Sequence, residues 1–263
     1  ELNPRPQLAT AWSVSEDGLQ YRFELRRNVK WHDGQPFTAA DVVYSIGLLK
    51  SAHPRGRTTF ANLLESGAVD EHTVVLKLSK PAPYLLYALA AGESPIVPRH
   101  IYDGKGDPLQ NPNNRAPVGT GPFVFKEWVL GNYVGYVRNP NYWDSPKPYL
   151  DALLVRVIPD GAARAVAFET GELDLGGSTP VSPLDLERFR SLPHLGQETR
   201  GYEYSPTLYG LEFNLDHPIL KSPQVRKAIA HAVDPAVVLN VAWYGLGERT
   251  VSIVSPTLKR FYN

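Results

Sequence analysis

Cysteine is absent from this chain of 263 residues, which excludes thiolate catalysis, zinc–thiolate sites and disulfide staples. The absence leaves the compartment open, because a cysteine-free protein suits oxidising and reducing surroundings alike. Neither sign of charge is in excess: 27 basic side chains meet 27 acidic ones. Nucleic acid and anionic membrane surfaces select a basic surplus, so neither is expected as the main partner. No run approaches the roughly 18 continuous apolar residues that a membrane-crossing helix needs. Leu85 to Ala91 comes nearest and is far too short. The opening Glu1-Leu2-Asn3-Pro4-Arg5 has neither the basic start nor the apolar core of a signal peptide. It also lacks an initiator Met, so a processed chain or an excised piece is expected.

What is present is ordinary for a globular protein: 43% hydrophobic and 21% charged residues. The length suits one large or two medium domains. Prolines (24) and tyrosines (14) point to many loops and a surface rich in amphipathic rings. Leu19, Tyr21, Phe23 and Leu25 alternate with polar residues, the period of a half-buried strand. Thr38 with Asp41 three residues on resembles a capping box, opening a helix that continues from Val42 to Leu49. Thr73 to Leu78 alternates again and is expected to pair with an earlier strand. Tyr84 to Ala91 reads as a short helix closed by Gly92, and residues 103 to 118 as a loop or lobe junction.

Beyond residue 119 the pattern changes. Phe123 to Trp128 and Tyr133 to Arg138 read as strands joined through Gly131-Asn132, a hairpin turn. Leu153 to Ile158 is a strand, and Ala162 to Thr170 a helix stopped at Gly171. Ser182-Pro183, Ser222-Pro223 and Asp234-Pro235 each supply a cap and first-turn proline for a helix. In the middle one of these, Val225, Ala228, Ile229, Ala232 and Val233 make the apolar face of a buried helix. Alternating strands and helices indicate an α/β layer here, after a mixed α+β first part.

The motifs that suggest chemistry have blander readings. Gly119-Thr120-Gly121-Pro122 leads into a strand, whereas a phosphate cradle must open a helix. A tight turn using glycine's freedom at positive φ is expected instead. The 7 histidines form no H-x-H or H-E-x-x-H arrangement, so no metal site is expected. Glu169, Glu172 and Asp174 are close in sequence, but they span a helix end and a turn into a strand. Glycosidase acids face one another across a cleft, for which sequence proximity is no evidence. No G-x-S-x-G elbow accompanies the serines. No catalytic residue and no cofactor is assigned.

Short phrases in fixed order carry more information than any of these. They are Leu8-Ala9-Thr10-Ala11-Trp12, Tyr21-Arg22-Phe23-Glu24-Leu25-Arg26, Asp33-Gly34-Gln35-Pro36-Phe37-Thr38-Ala39-Ala40-Asp41-Val42, Gly119-Thr120-Gly121-Pro122-Phe123, Arg138-Asn139-Pro140-Asn141-Tyr142-Trp143 and Val225-Arg226-Lys227-Ala228-Ile229. In this order and spacing the chain resembles the family 5 extracellular solute-binding proteins, receptors that hand peptides, nickel chelates and related solutes to ABC importers.

The resemblance implies a class II periplasmic-binding-protein-like fold of which this chain holds the first lobe only. Residues 1–118 would form an outer α+β subdomain and 119–250 an α/β core. Residues 251–263 would begin the crossover to a second lobe. The implied function is capture of a solute, a peptide first of all, between two lobes, followed by delivery to ABC permease subunits in the membrane. The implied location is the periplasm, or the outer surface of a Gram-positive host with a membrane anchor. No covalent chemistry is implied.

Two alternatives stand beside this: a nickel-chelate or other non-peptide receptor, and a binding-incompetent interaction or chaperone module. In the nickel subgroup a cation is expected near the segment that here reads Gly92-Glu93-Ser94-Pro95, and its absence there speaks against nickel. Relatives present an aromatic ring to the cleft where this chain has Phe60, although an ordinary core residue fits equally. Tyr202, Tyr204 and Tyr209 precede a strand ending in Phe213-Asn214 that approaches the hinge in relatives. Those three tyrosines and Asn214 complete the candidate ligand-binding set. Trp12, Trp31, Trp128 and Trp143 are expected to be structural, and Arg138 and Arg226 to make ion pairs or carbonyl contacts. An uncovered lobe interface would allow self-association.

Overall fold

A computed structural model of the chain describes residues 3–90, 92–177, 180–198, 200 and 207–258. They fall into two units, residues 1–157 and 158–263.

The first unit is built on an antiparallel sheet of β1 (Ala9–Val14), β2 (Gln20–Leu25), β3 (Leu63–Asp70) and β4 (Thr73–Leu78), in the order β1-β2-β4-β3. The alternation in β2 and β4 sets the register, since a slip by one residue would turn every apolar side chain to the wrong face. Tyr21 opposes Leu76 and Phe23 opposes Val74, so these buried side chains share the core face. Helix α1 (Ala39–Ala52) contributes Ile46 and Leu49 to the same core. The single turns α2 (Gly56–Thr59), α3 (Leu85–Ala88) and α4 (Arg99–Tyr102) close its margins.

Asp41 explains how α1 is anchored. Its Oδ2 accepts the Thr38 N–H at 2.8 Å and the Trp31 Nε1–H at 3.4 Å, while Oδ1 accepts the Arg99 N–H at 2.9 Å. The side chain that caps the helix therefore also ties it to the segment entering α4. One turn later the Ser45 Oγ donates to the Asp41 carbonyl at 2.7 Å and accepts the Val97 N–H at 2.9 Å. Both residues are buried, where an unpaired polar atom would be costly.

A second antiparallel sheet in this unit orders β5 (Phe123–Val129), β6 (Tyr133–Arg138) and β7 (Ala152–Arg156). The β5–β6 turn is the one expected: the Asn132 N–H donates to the Val129 carbonyl at 2.9 Å, and Gly131 takes φ +74°. Few residues other than glycine tolerate that conformation.

The second unit contains α5 (Gly161–Glu169), α6 (Pro183–Arg190), α7 (Pro223–Ala232) and α8 (Pro235–Trp243). Asp160, Ser182 and Asp234 cap α5, α6 and α8 through their side chains. A small core of Ala165, Phe168, Val181 and Phe189 joins α5 to α6, with the two phenyl rings 6.2 Å apart.

Two expectations are corrected here. No strand follows β7 among the described residues, so Leu173–Leu175 and Leu211–Phe213 are irregular. A strand exists through pairing, and these stretches find no edge among the described residues of their unit. Helix α7 forms where its period places it, yet none of its residues is buried. Among the described residues its apolar face stays half-buried at Val225 and Ile229 and exposed elsewhere, because amphipathicity directs a face inward only where a second surface exists.

Candidate functional site

Of the residues expected to touch solute, Phe60 belongs to the first unit, and Tyr209 and Asn214 to the second. Phe60 ends α2, its N–H donating to the Gly56 carbonyl at 2.9 Å, and its ring is only 2% exposed within the first unit's core. Tyr209 is 68% exposed and lies against Trp243, ring centroids 4.4 Å apart at 45°. Asn214 turns the chain: its Oδ1 accepts the Asp216 N–H at 3.0 Å, and its carbonyl accepts the His217 N–H at 3.3 Å. That is an Asx-type turn, which keeps the side chain short and local. Tyr202 and Tyr204 lie outside the described residues.

The sequence reading missed a cation. Arg55 Nη2 lies 2.7 Å from Glu93 Oε1, so a guanidinium reaches the Gly92–Pro95 segment from 38 residues earlier. The local absence of a basic residue there was no guide to the charge present in space. Tyr84 and Tyr87 are exposed, and the Tyr84 hydroxyl donates to the Thr59 carbonyl at 3.1 Å.

The Gly119-Thr120-Gly121-Pro122 turn is built differently from the expectation. Neither Gly119 nor Gly121 is at positive φ. Side chains hold the turn instead. The Gly119 N–H donates to His32 Nδ1 at 3.1 Å, which leaves the proton on Nε2 to donate to the Gly121 carbonyl at 3.0 Å. Asn139 Nδ2 donates to that same carbonyl at 2.9 Å. The glycine requirement is one of space, since a Cβ at Gly119 would stand 3.3 Å from His32 Cε1.

Arg138 donates to the Tyr149 and Leu150 carbonyls and pairs with Asp151 at 2.8 Å, and Arg226 donates to the Leu220 and Lys221 carbonyls. Both act as expected. Trp31 is buried, while Trp12 and Trp143 pack against the core. Trp128 is 46% exposed. Burial pushes the Tyr21 and Tyr102 phenols up, and their hydroxyls donate to the Ala82 carbonyl and to Asn114 Oδ1.

No group of three or more His, Asp and Glu able to hold a metal occurs among the described residues. No helix there is long and apolar enough to cross a membrane.

Comparison with known proteins decides the lineage. Residues 3–263 match the model of bacterial extracellular solute-binding proteins, family 5 Middle. The chain belongs to that family. Its members are solute-binding receptors, periplasmic or extracellular. The oligopeptide-binding protein AppA of Bacillus subtilis is 30% identical over 253 residues, covering 94% of this chain and 45% of AppA. The Helicobacter pylori periplasmic protein DppA, solved with the peptide STSA, superposes with a TM-score of 0.79 at 27% identity, covering 96% of this chain and 52% of that one. Campylobacter jejuni NikZ, solved with Ni(L-His), superposes with a TM-score of 0.73 at 27% identity, covering 92% and 48%. The family 5 fold is thus established for a chain spanning about half the length of the relatives it matches.

Proposed function

We propose that this chain is part of the solute-binding receptor of an ABC importer and that its cargo is a peptide. The carrying observation is the family match over residues 3–263, joined to peptide-binding relatives such as AppA and DppA. In this reading the whole receptor closes two lobes on the peptide by hinge motion, a population shift driven by contacts to both. It then docks on membrane permease subunits from the periplasm, or from the outer face of a Gram-positive cell. Phe60, Tyr202, Tyr204, Tyr209 and Asn214 serve as solute contacts on this chain. No step makes or breaks a covalent bond.

One lobe leaves the far side of a ligand in water and forfeits the contacts that offset its lost freedom. The chain by itself therefore binds peptide weakly. Native mass spectrometry of the complete receptor purified from its host should find co-purified peptide. A nickel chelate in its place, or empty protein bound to another protein, would replace this reading. Calorimetry of the isolated chain with a peptide library adds a check on the two-lobe argument, which micromolar affinity for this chain alone would refute.

A further inference from the structure

Arg115, Phe125, Trp128 and Leu130 line a cavity of about 390 Å³ beside the β5–β6 turn, and the solute-receptor reading uses none of them. The strand register puts the two rings on the same face of the sheet. The pairing shifts between Phe125 and Glu127, so Phe125 opposes Tyr136 and Trp128 opposes Val134. Residues three apart on a regular strand face opposite sides. The extra residue, Lys126, returns Trp128 to the face of Phe125, as a bulge does. Tyr136 braces Phe125 edge-on, with centroids 6.1 Å apart at 81°. Trp128 pairs with no other ring and no cation among the described residues. Leu130 is 83% exposed at a turn whose geometry requires only the glycine that follows it.

Charge selects the ligand. Arg115 follows a 3-10 turn (Pro112–Asn114), its N–H donating to the Pro112 carbonyl at 3.1 Å. Its guanidinium has no hydrogen bond or ion pair among the described residues, and no carboxylate lines the cavity. A guanidinium is a planar fork of donors matched to a carboxylate, and an uncovered indole face is matched to another ring. The volume falls within the range of small-molecule sites, about 300–1,000 Å³. We propose that this cavity binds a small aromatic carboxylate, its ring against Trp128 and Phe125 and its carboxylate on Arg115. An aliphatic acid would leave the indole uncovered, and a neutral arene would leave the guanidinium unused.

The test titrates the purified chain with indole-3-acetate while following the Trp128 indole N–H by nuclear magnetic resonance. Saturable movement of that signal is expected. Neutral 3-methylindole should bind at least about tenfold more weakly, because it lacks the charge-assisted bonds. Arg115→Gln and Trp128→Leu alter exposed side chains and should keep the fold, checked by circular dichroism, while each weakens binding by about tenfold or more. No saturation up to about 10 mM would overturn the proposal, as that concentration exceeds the range of a specific site. Equal binding of 3-methylindole, or unchanged binding in both folded variants, would overturn it too. So would Trp128-dependent capture by phosphatidylglycerol vesicles without any response to the acid. Peptide capture by the complete receptor should be unaffected by either variant, so the two readings fail separately.

Discussion

Gly119 and His32 exchange two hydrogen bonds across 87 residues of sequence. The His32 N–H donates to the Gly119 carbonyl at 2.8 Å, and the Gly119 N–H returns a bond to His32 Nδ1 at 3.1 Å. The imidazole thereby fastens the turn that leads into β5. His32→Ala removes both side-chain bonds and leaves a part-buried N–H and carbonyl without those partners. It should cost roughly 1–3 kcal/mol in urea unfolding of the first unit. Gly119→Ala should cost less, because the ring it crowds can shift. An unchanged midpoint in His32→Ala would show that the imidazole is a bystander.

Gly56 and Gly47 make a contrasting pair. A Cβ on Gly56 would overlap the backbone carbonyl oxygen of Leu49, whereas one on Gly47 would meet nothing within 4 Å. Gly56→Ala should destabilise by about 1–3 kcal/mol, since backbone must move to admit the methyl group. Gly47→Ala, inside α1, should stabilise by roughly 0.5–1 kcal/mol by restricting the unfolded chain. Thermal melts of the two variants should move in opposite directions. A common direction would contradict this packing of α1 against α2.

Asp41 ties α1 to the strand-side Trp31 and to Arg99 through one carboxylate. Asp41→Ala should cost about 2–4 kcal/mol, because buried donors lose their acceptor. Asp41→Asn keeps an acceptor oxygen and should lose distinctly less. Equal losses for the two variants would assign the effect to packing alone.

Asp17 gives the clearest pH signature. The Ser15 hydroxyl, donating at 2.5 Å, and then the Leu19 N–H hold its carboxyl below the ordinary value of 3.8. A lowered folded value favours the charged form in the native state. The contribution is therefore complete above 3.8, the unfolded value, and fades as pH falls through the lower folded one. Titration of the Asp17 carboxyl carbon should show a midpoint below 3.8, moving up in Ser15→Ala. A midpoint at or above that value in the wild type would contradict the turn geometry.

Much of the fold is legible along the chain. Strands β4 and β6 occupy the stretches their alternation marks, and the Ser-Pro and Asp-Pro pairs start α6, α7 and α8 where they stand. β1 and β3 escaped notice because Ala9–Val14 and Leu63–Asp70 bury little, and their burial lacks a clear period of two. The single turns α2 and α4 are too short to leave a helical period.

The candidate site was less legible. Arg55 meets Glu93 and His32 meets Gly121 only because the chain folds back, and no local pattern marks either pair. Trp128 reads as a structural residue by the phrase around it, and only the register shift in β5 shows that its indole faces outward with Phe125.

Family, the strongly periodic elements and the caps of the helices were written in the amino-acid sequence, because each depends on neighbours within a few residues or on the order of short phrases. Which apolar faces are covered, where guanidinium and imidazole groups point, and whether Leu211–Phe213 becomes a strand were decided by the tertiary structure. Burial and strand pairing need a second surface, and a one-dimensional pattern specifies the face offered without specifying what meets it.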